Sequence, residues 1–265
     1  MLVKVFYFLS KYNILFTLIT YCYYSLTILN ILIRKTSDNH NPNNEQTSKI
    51  VSLDGNNQLL VEVPDYIEDG KKKIRVKGLG EKFTAINSFL LDYLKEYHIP
   101  VAFIKEQSGS TLKFLNYNKF PFYVRVYNAV DKRTAKIFNK KEFEVLSLPL
   151  FEFHYGNGKD SFVSESHLIS FELCTYDELK LINRICSKVN AVLKSYFERR
   201  GEILAELDCC FGKVGDKIYV VEGFSPNSLK VFPVEMNNKS VNPYKITTPA
   251  QLRKYTEHLF TLTSS

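Results

Sequence analysis

The residues best suited to chemistry lie in the run LAELDCCFG (204–212). If that run is extended, its period of two puts Glu206, Asp208 and Cys210 on one face and Leu207 and Cys209 on the other. The following run, Lys217 to Glu222, reads as its hairpin partner across the glycine turn GKVGD (212–216), and Ser225-Pro226-Asn227 form the next turn. Three carboxylates on neighbouring strand ends, Glu206, Asp208 and Glu222, suit a hard cation such as magnesium, which prefers oxygen ligands. The plainer reading of the same spacing is an exposed acidic edge. Cys209 and Cys210 are adjacent in a strand, so their side chains diverge and cannot jointly grip zinc. No CxxC or HxxxH spacing supplies a zinc site elsewhere. Of the scattered histidines, His154 and His167 read as loop residues. Lys77-Gly78-Leu79-Gly80 is too short a glycine pattern to define a phosphate loop, and the chain has no nucleophile elbow or Walker loop.

The elements that would position these residues alternate between strand and helix. Lys49–Leu53 and Leu59–Val63 form a predicted hairpin across Asp54-Gly55-Asn56-Asn57. Lys73 to Lys77 alternates basic and branched residues, which sets Ile74 and Val76 inward and Lys73, Arg75 and Lys77 outward. No aromatic residues interleave with these cations to stack on bases, so the stretch reads as a solvated strand face rather than a nucleic-acid contact. Phe83, Ile86, Leu90, Leu94 and Tyr97 recur at helical spacing and predict an amphipathic helix ended before Ile99-Pro100. Phe120 to Tyr127 is a further strand. The strongest helix signal spans Tyr176 to Arg200, with Thr175 and Glu178 as a capping box and Gly201 as its stop. A last helix starts at Thr248-Pro249, capped through Gln251, and ends near Phe260. The class is α/β (α+β) with antiparallel hairpins.

Composition supports one medium-sized globular body. The chain has 265 residues, of which 45% are hydrophobic and 14% aromatic, enough for a core and incompatible with pure disorder. Five cysteines are too few and odd in number for a disulfide framework. The net charge of +7 permits an anionic partner without requiring one. Residues 12–33 carry no charge, and at helical rise they would span about 33 Å, so residues 1–35 are a candidate membrane segment or a variable extension. Residues 36–48 (TSDNHNPNNEQTS) read as a linker.

Taken together, TSKIV (47–51), QLLVEV (58–63), KGLG (77–80), HIP (98–100), FPFYVRVYN (120–128), LPLFEFHYGNGKDSFVSESH (148–167), LAELDCCFG and EGFSPNSLKVF (222–232) resemble the SAICAR synthetase (phosphoribosylaminoimidazole-succinocarboxamide synthase) family. The resemblance implies a two-lobed fold with a kinase-like nucleotide cleft. It further implies a nucleotide-binding lobe over 49–118 and a substrate lobe over 119–265. It implies an ATP-dependent ligase of purine biosynthesis that joins aspartate to a carboxyaminoimidazole ribonucleotide, with ATP and Mg2+ as cofactors. The partners would then be small molecules and not nucleic acid, with a membrane contact only through residues 12–33.

The family's site positions carry over in part. Lys49 stands in the nucleotide-binding strand, where Gln46 and Thr47 replace a Gly-Lys pair. Asn128, Ser225 and Lys230 fall on substrate-binding positions, and Glu206, Asp208 and Glu222 on or beside metal positions. No catalytic residue is assigned. In the PLEVVVRN strand Tyr123 replaces a glutamate and Tyr127 an arginine. The small-residue AAGS loop becomes Val130-Asp131-Lys132-Arg133. In the DFKLEFG strand Asp208 replaces a lysine and Cys210 a metal-binding glutamate. Three functions follow: a divergent ligase, an inactive relative that binds a nucleotide or a protein partner, and a membrane-tethered interaction module.

Overall fold

A computed structural model describes residues 49–54, 58–69, 72–156, 161–226, 228–235 and 241–264. The membrane candidate over 12–33 and the linker over 36–48 lie outside the described residues. Among the described residues no helix is long and apolar enough to cross a membrane.

The expected first hairpin forms from β1 (Lys49–Asp54) and β2 (Gln58–Glu62), with Lys49 opposite Glu62. β3 (Tyr66–Asp69) and β4 (Lys72–Arg75) make a separate two-stranded ribbon, on which Lys73, Arg75 and Lys77 are exposed and Val76 is buried. The helical spacing after KGLG becomes α1 (Leu79–Glu96), whose buried face carries Phe83, Ile86, Leu90 and Leu94. KGLG itself serves the start of that helix. Gly78 takes a left-handed φ of 75°, and the Gly78 and Gly80 amides donate to the Asp65 carboxylate at 3.2 and 2.9 Å. That carboxylate satisfies donors that a phosphate would otherwise seek at a helix start. Gly80 lies so close to the Val63 carbonyl that a Cβ would collide with it.

β5 (Phe103–Ser108) and β6 (Thr111–Leu115) complete a four-stranded antiparallel sheet in the order β1-β2-β6-β5. A larger sheet is built on β7 (Asn118–Ala129), β8 (Val145–Tyr155) and β10 (Glu202–Val214). Its order is β11-β10-β7-β8-β9, where β9 is Phe162–Val163 and β11 is Lys217–Val221; β12 (Leu229–Pro233) pairs with the first half of β10. The segment 100–102 ties the two sheets: Val220 donates to the Pro100 carbonyl, and Ala102 donates to the Val220 carbonyl. The expected boundary between residues 118 and 119 thus falls at the start of β7. One apolar core runs continuously from Leu59 through Phe114 to Leu259.

Two short helices, α2 (Lys132–Phe138) and α3 (Glu165–Ser170), flank β8 and β9. The long helix α4 (Tyr176–Glu198) backs the larger sheet, with Leu179, Ile182, Cys186, Val189 and Leu193 buried against it. Its capping box forms as the sequence implies: Thr175 Oγ1 accepts from the Glu178 amide at 3.2 Å, and Glu178 Oε2 accepts from the Thr175 amide at 2.8 Å. Gly201, at φ 73°, lets the chain reverse into β10. The last helix, α5 (Pro249–Thr263), packs against α1, where Lys82 and Glu257 pair.

Candidate functional site

Three strands of the larger sheet align its chemistry in rows. Cys210 lies beside Tyr123 and Tyr123 beside His154; Asp208 beside Arg125 and Arg125 beside Glu152; Glu206 beside Tyr127. β12 adds Lys230 on the far side of Glu206. The period of two puts all of these on one sheet face, while Val124, Val126, Leu207 and Cys209 are buried on the other, the side on which α4 packs. The expectation of an exposed acidic edge is therefore corrected. β10 is an interior strand, and Glu206 is only 5% exposed.

The charges on this face are internally matched. The Arg125 guanidinium forks onto Asp208, with Nε to Oδ1 at 2.6 Å and Nη2 to Oδ2 at 2.7 Å, and its Nε lies 3.3 Å from Glu206 Oε1. A planar fork on a carboxylate is a strong, oriented form of ion pair. Burial pushes the Glu206 carboxyl up to about 7; Arg125 opposes that shift, and the neighbouring Asp208 adds to it. The Tyr244 hydroxyl hydrogen-bonds Glu206, and its own ionisation is displaced far upward, first by burial. Lys230 donates to the Pro226 carbonyl at 2.6 Å, and burial lowers its pKa against the pull of Glu206 and Asp208. At the far end of the face Arg133 pairs with Glu152.

The sequence-derived site residues distribute as follows. Glu206, Asp208 and Lys230 share this face. Glu222 follows β11 at a left-handed φ of 62° and pairs with Lys119 at 2.6 Å, with the Cys210 thiol also hydrogen-bonded to it. Ser225 is half-buried in the adjoining turn, where its hydroxyl accepts from the Ser228 amide at 3.2 Å and its amide donates to Ser228 Oγ at 2.8 Å. Asn128 is not brought to the face. It points to the opposite side, where its amide pairs reciprocally with Asn190 of α4 at 2.8 and 2.9 Å. Its odd–even offset from Tyr127 dictates this, and both residues are buried. Lys49 lies on β1, in the smaller sheet.

The histidines also depart from expectation. His154 sits in β8, buried, stacked on Tyr123 at 5.1 Å between ring centroids, with Nδ1 2.9 Å from Ser161 Oγ. His167 lies in α3, where its Nδ1 accepts from the Ser164 amide at 3.1 Å and caps the helix. Both take ordered structural positions rather than loop positions.

Arg125 and Tyr244 are the residues that sequence reasoning missed. Alternation in FYVRVY already places Arg125 between Tyr123 and Tyr127 on one face, so a signal for it existed. Tyr244 has none, because it reaches Glu206 from the chain beyond β12.

Magnesium fits this donor set poorly. Both Asp208 oxygens are taken by Arg125, Glu222 is held by Lys119, and Cys210 offers a thiol where a hard ion needs oxygen. Among the described residues no group of three or more histidine, cysteine, aspartate or glutamate side chains comes together to hold a metal ion. The metal expectation for Glu206, Asp208 and Glu222 meets carboxylates that are already paired with cations.

The geometry so far defines a class: a mixed α/β protein with two antiparallel sheets on one core, and a charged, largely buried ligand-type face on the larger sheet. Comparison with known proteins narrows it. The model of the SAICAR synthetase family matches residues 46–246, so the chain belongs to that family. Among its relatives, the phosphoribosylaminoimidazole-succinocarboxamide synthase of Aquifex aeolicus (strain VF5) is 28% identical over 194 residues, covering 71% of this chain and 90% of the relative. That of Wolbachia sp. subsp. Brugia malayi (strain TRS) is 28% identical over 206 residues, 71% of this chain and 86% of the relative. The SAICAR synthetase (Type-1) structure from Pyrococcus horikoshii OT3 is 26% identical, with a TM-score of 0.71 over 80% of this chain and 96% of that one. A SAICAR synthetase (Type-2) solved in complex with ADP agrees in fold, with a TM-score of 0.74 over 85% of this chain and 97% of that one at 24% identity.

Proposed function

We propose that this chain is an ATP-dependent carboxylate–amine ligase of purine biosynthesis that joins aspartate to carboxyaminoimidazole ribonucleotide. The observation that supports it best is the unbroken family match over 46–246, which takes in both the β1–β2 hairpin and the β10–β12 face. In this reading residues 49–118 form the nucleotide lobe, with Lys49 at its nucleotide-binding position, and residues 119–265 form the substrate lobe. The γ-phosphoryl group passes to the substrate carboxylate, giving an acyl phosphate and ADP. The aspartate amine then attacks the acyl carbon and loses a proton, the C–N bond forms as the acyl C–O bond breaks, and phosphate leaves carrying one oxygen of the original carboxylate. Lys230 and Ser225, at the β12 end of the face, orient the anionic substrate, and the surrounding buried side chains exclude water.

One observation favours a second reading, a relative that binds nucleotide without ligating. Asp208 and Glu222 are both engaged by internal cations, and Cys210 lies between them. Purified full-length protein with ATP, aspartate and the ribonucleotide separates the two, assayed for product by mass spectrometry and, in cells, by rescue of a purine auxotroph. Product supports the ligase. ADP binding by calorimetry without product supports the binding-only relative, and the absence of both sinks the nucleotide reading.

A further inference from the structure

We propose that the Arg125 guanidinium is the resident cation of this sheet face, standing between the Asp208 and Glu206 carboxylates in place of a divalent ion, so that the face holds no divalent metal of its own. The inference goes beyond the nucleotide reading and does not depend on it.

Strand register carries the argument. Arg125 lies directly across from Asp208, and its fork satisfies both carboxylate oxygens at 2.6 and 2.7 Å while its Nε reaches Glu206 at 3.3 Å. A small divalent ion needs carboxylate lone pairs at about 2.1 Å, in near-octahedral order. Those lone pairs on Asp208 already face N–H groups. A second cation entering beside a fixed guanidinium would also be repelled by it and by Lys230, which lies across from Glu206. Of the other carboxylates, Glu222 is drawn off by Lys119 at 2.6 Å and Glu152 is paired with Arg133, and Cys210 contributes sulfur rather than oxygen. Arginine keeps its charge across the physiological range, so compensation of the Asp208 charge is permanent and needs no free ion. Removing the guanidinium while keeping the carboxylates would leave two adjacent acidic side chains without their cation, the condition under which a hard ion binds.

The test uses Mn2+ alone, titrated into the full chain and followed by the electron paramagnetic resonance signal of free Mn2+. The wild type and Asp208→Asn are expected to bind Mn2+ equally weakly. Arg125→Gln is expected to gain a site at least about tenfold tighter, which Arg125→Gln/Asp208→Asn loses again. A wild-type Mn2+ site that Asp208→Asn abolishes would overturn the inference, and so would a folded Arg125→Gln protein with no gain. Should Arg125→Gln not fold by circular dichroism, the comparison of wild type with Asp208→Asn decides alone: equal affinities sustain the inference and a difference overturns it. Failure of ADP to bind in calorimetry would remove the nucleotide reading without touching this result.

Discussion

Glu206 is the residue whose replacement tests most directly how the buried face is held together. Its carboxyl is pushed up to about 7 from an ordinary 4.5, first by burial, with Arg125 opposing and Asp208 adding. Between those two values the folded protein keeps a proton that the unfolded chain has released. Stability therefore falls as pH rises through that window, and the loss is complete above about pH 7. At about 1.4 kcal/mol per pKa unit, the shift corresponds to roughly 3 kcal/mol. Glu206→Gln removes this titration while keeping an oxygen that can accept from Tyr244. Relative to wild type, the variant should therefore gain roughly 2–3 kcal/mol of stability between pH 5 and pH 8, whatever constant offset the lost Arg125 contact introduces. The assay is urea unfolding at intervals across that range, followed by circular dichroism because the chain has no tryptophan. A stability difference between variant and wild type that does not change with pH, or that shrinks toward pH 8, would refute the assignment of a buried, proton-holding Glu206.

Three further outcomes follow from the packing. Asn128→Ala should cost roughly 1–3 kcal/mol, because Asn190 is left buried with its amide unpaired; replacing both with leucine should cost less than the sum of the single changes, as a double-mutant cycle in urea would show. Thr175→Ala should lower stability by about 1 kcal/mol through the lost cap of α4 without altering ADP affinity, read by thermal melts beside calorimetry. Gly223→Ala should destabilise more than Gly215→Ala despite the left-handed φ of Gly215, since a Cβ at 223 collides with Asn87. The Asn87 side chain accepts from the Phe224 amide and donates to its carbonyl, and so fastens α1 to the turn after β11; paired melts of the two variants check the order.

Much of the fold is legible locally. The capping boxes at Thr175 and Thr248, the left-handed glycine at 201 and the alternation in LAELDCCFG each involve neighbours within a few residues, so their energetics are written into short segments. The same alternation would also have told that Asn128, one residue past Tyr127, faces α4, although its motif position suggested the substrate. The alternation in FEFHY (151–155) puts His154 on the face of Glu152, so a strand signal existed; what it could not give was the neighbour on the adjoining strand. That neighbour is Tyr123, which β7 supplies beneath the His154 ring.

The chemistry of the face depends on what the chain brings together from afar. Sequence alone fixes that Asp208 is an acid where the family pattern has a lysine, and that Cys210 stands where that pattern has a glutamate. Only the β7–β10 register decides that Arg125 lies opposite Asp208 and returns a positive charge to the same face from the neighbouring strand. Likewise, two acids in one strand run and a third just after its hairpin partner say nothing about whether they are solvated. Burial beneath Tyr244 and Tyr127 makes Glu206 hold its proton, and the turn after β11 gives Glu222 to Lys119. The physical reason is that hydrogen bonds of helix caps and turns act over a few residues, whereas the energy of a charge depends on solvent exclusion and on partners within a few ångströms. Residues 83 positions apart in the chain can meet those conditions only after it has folded.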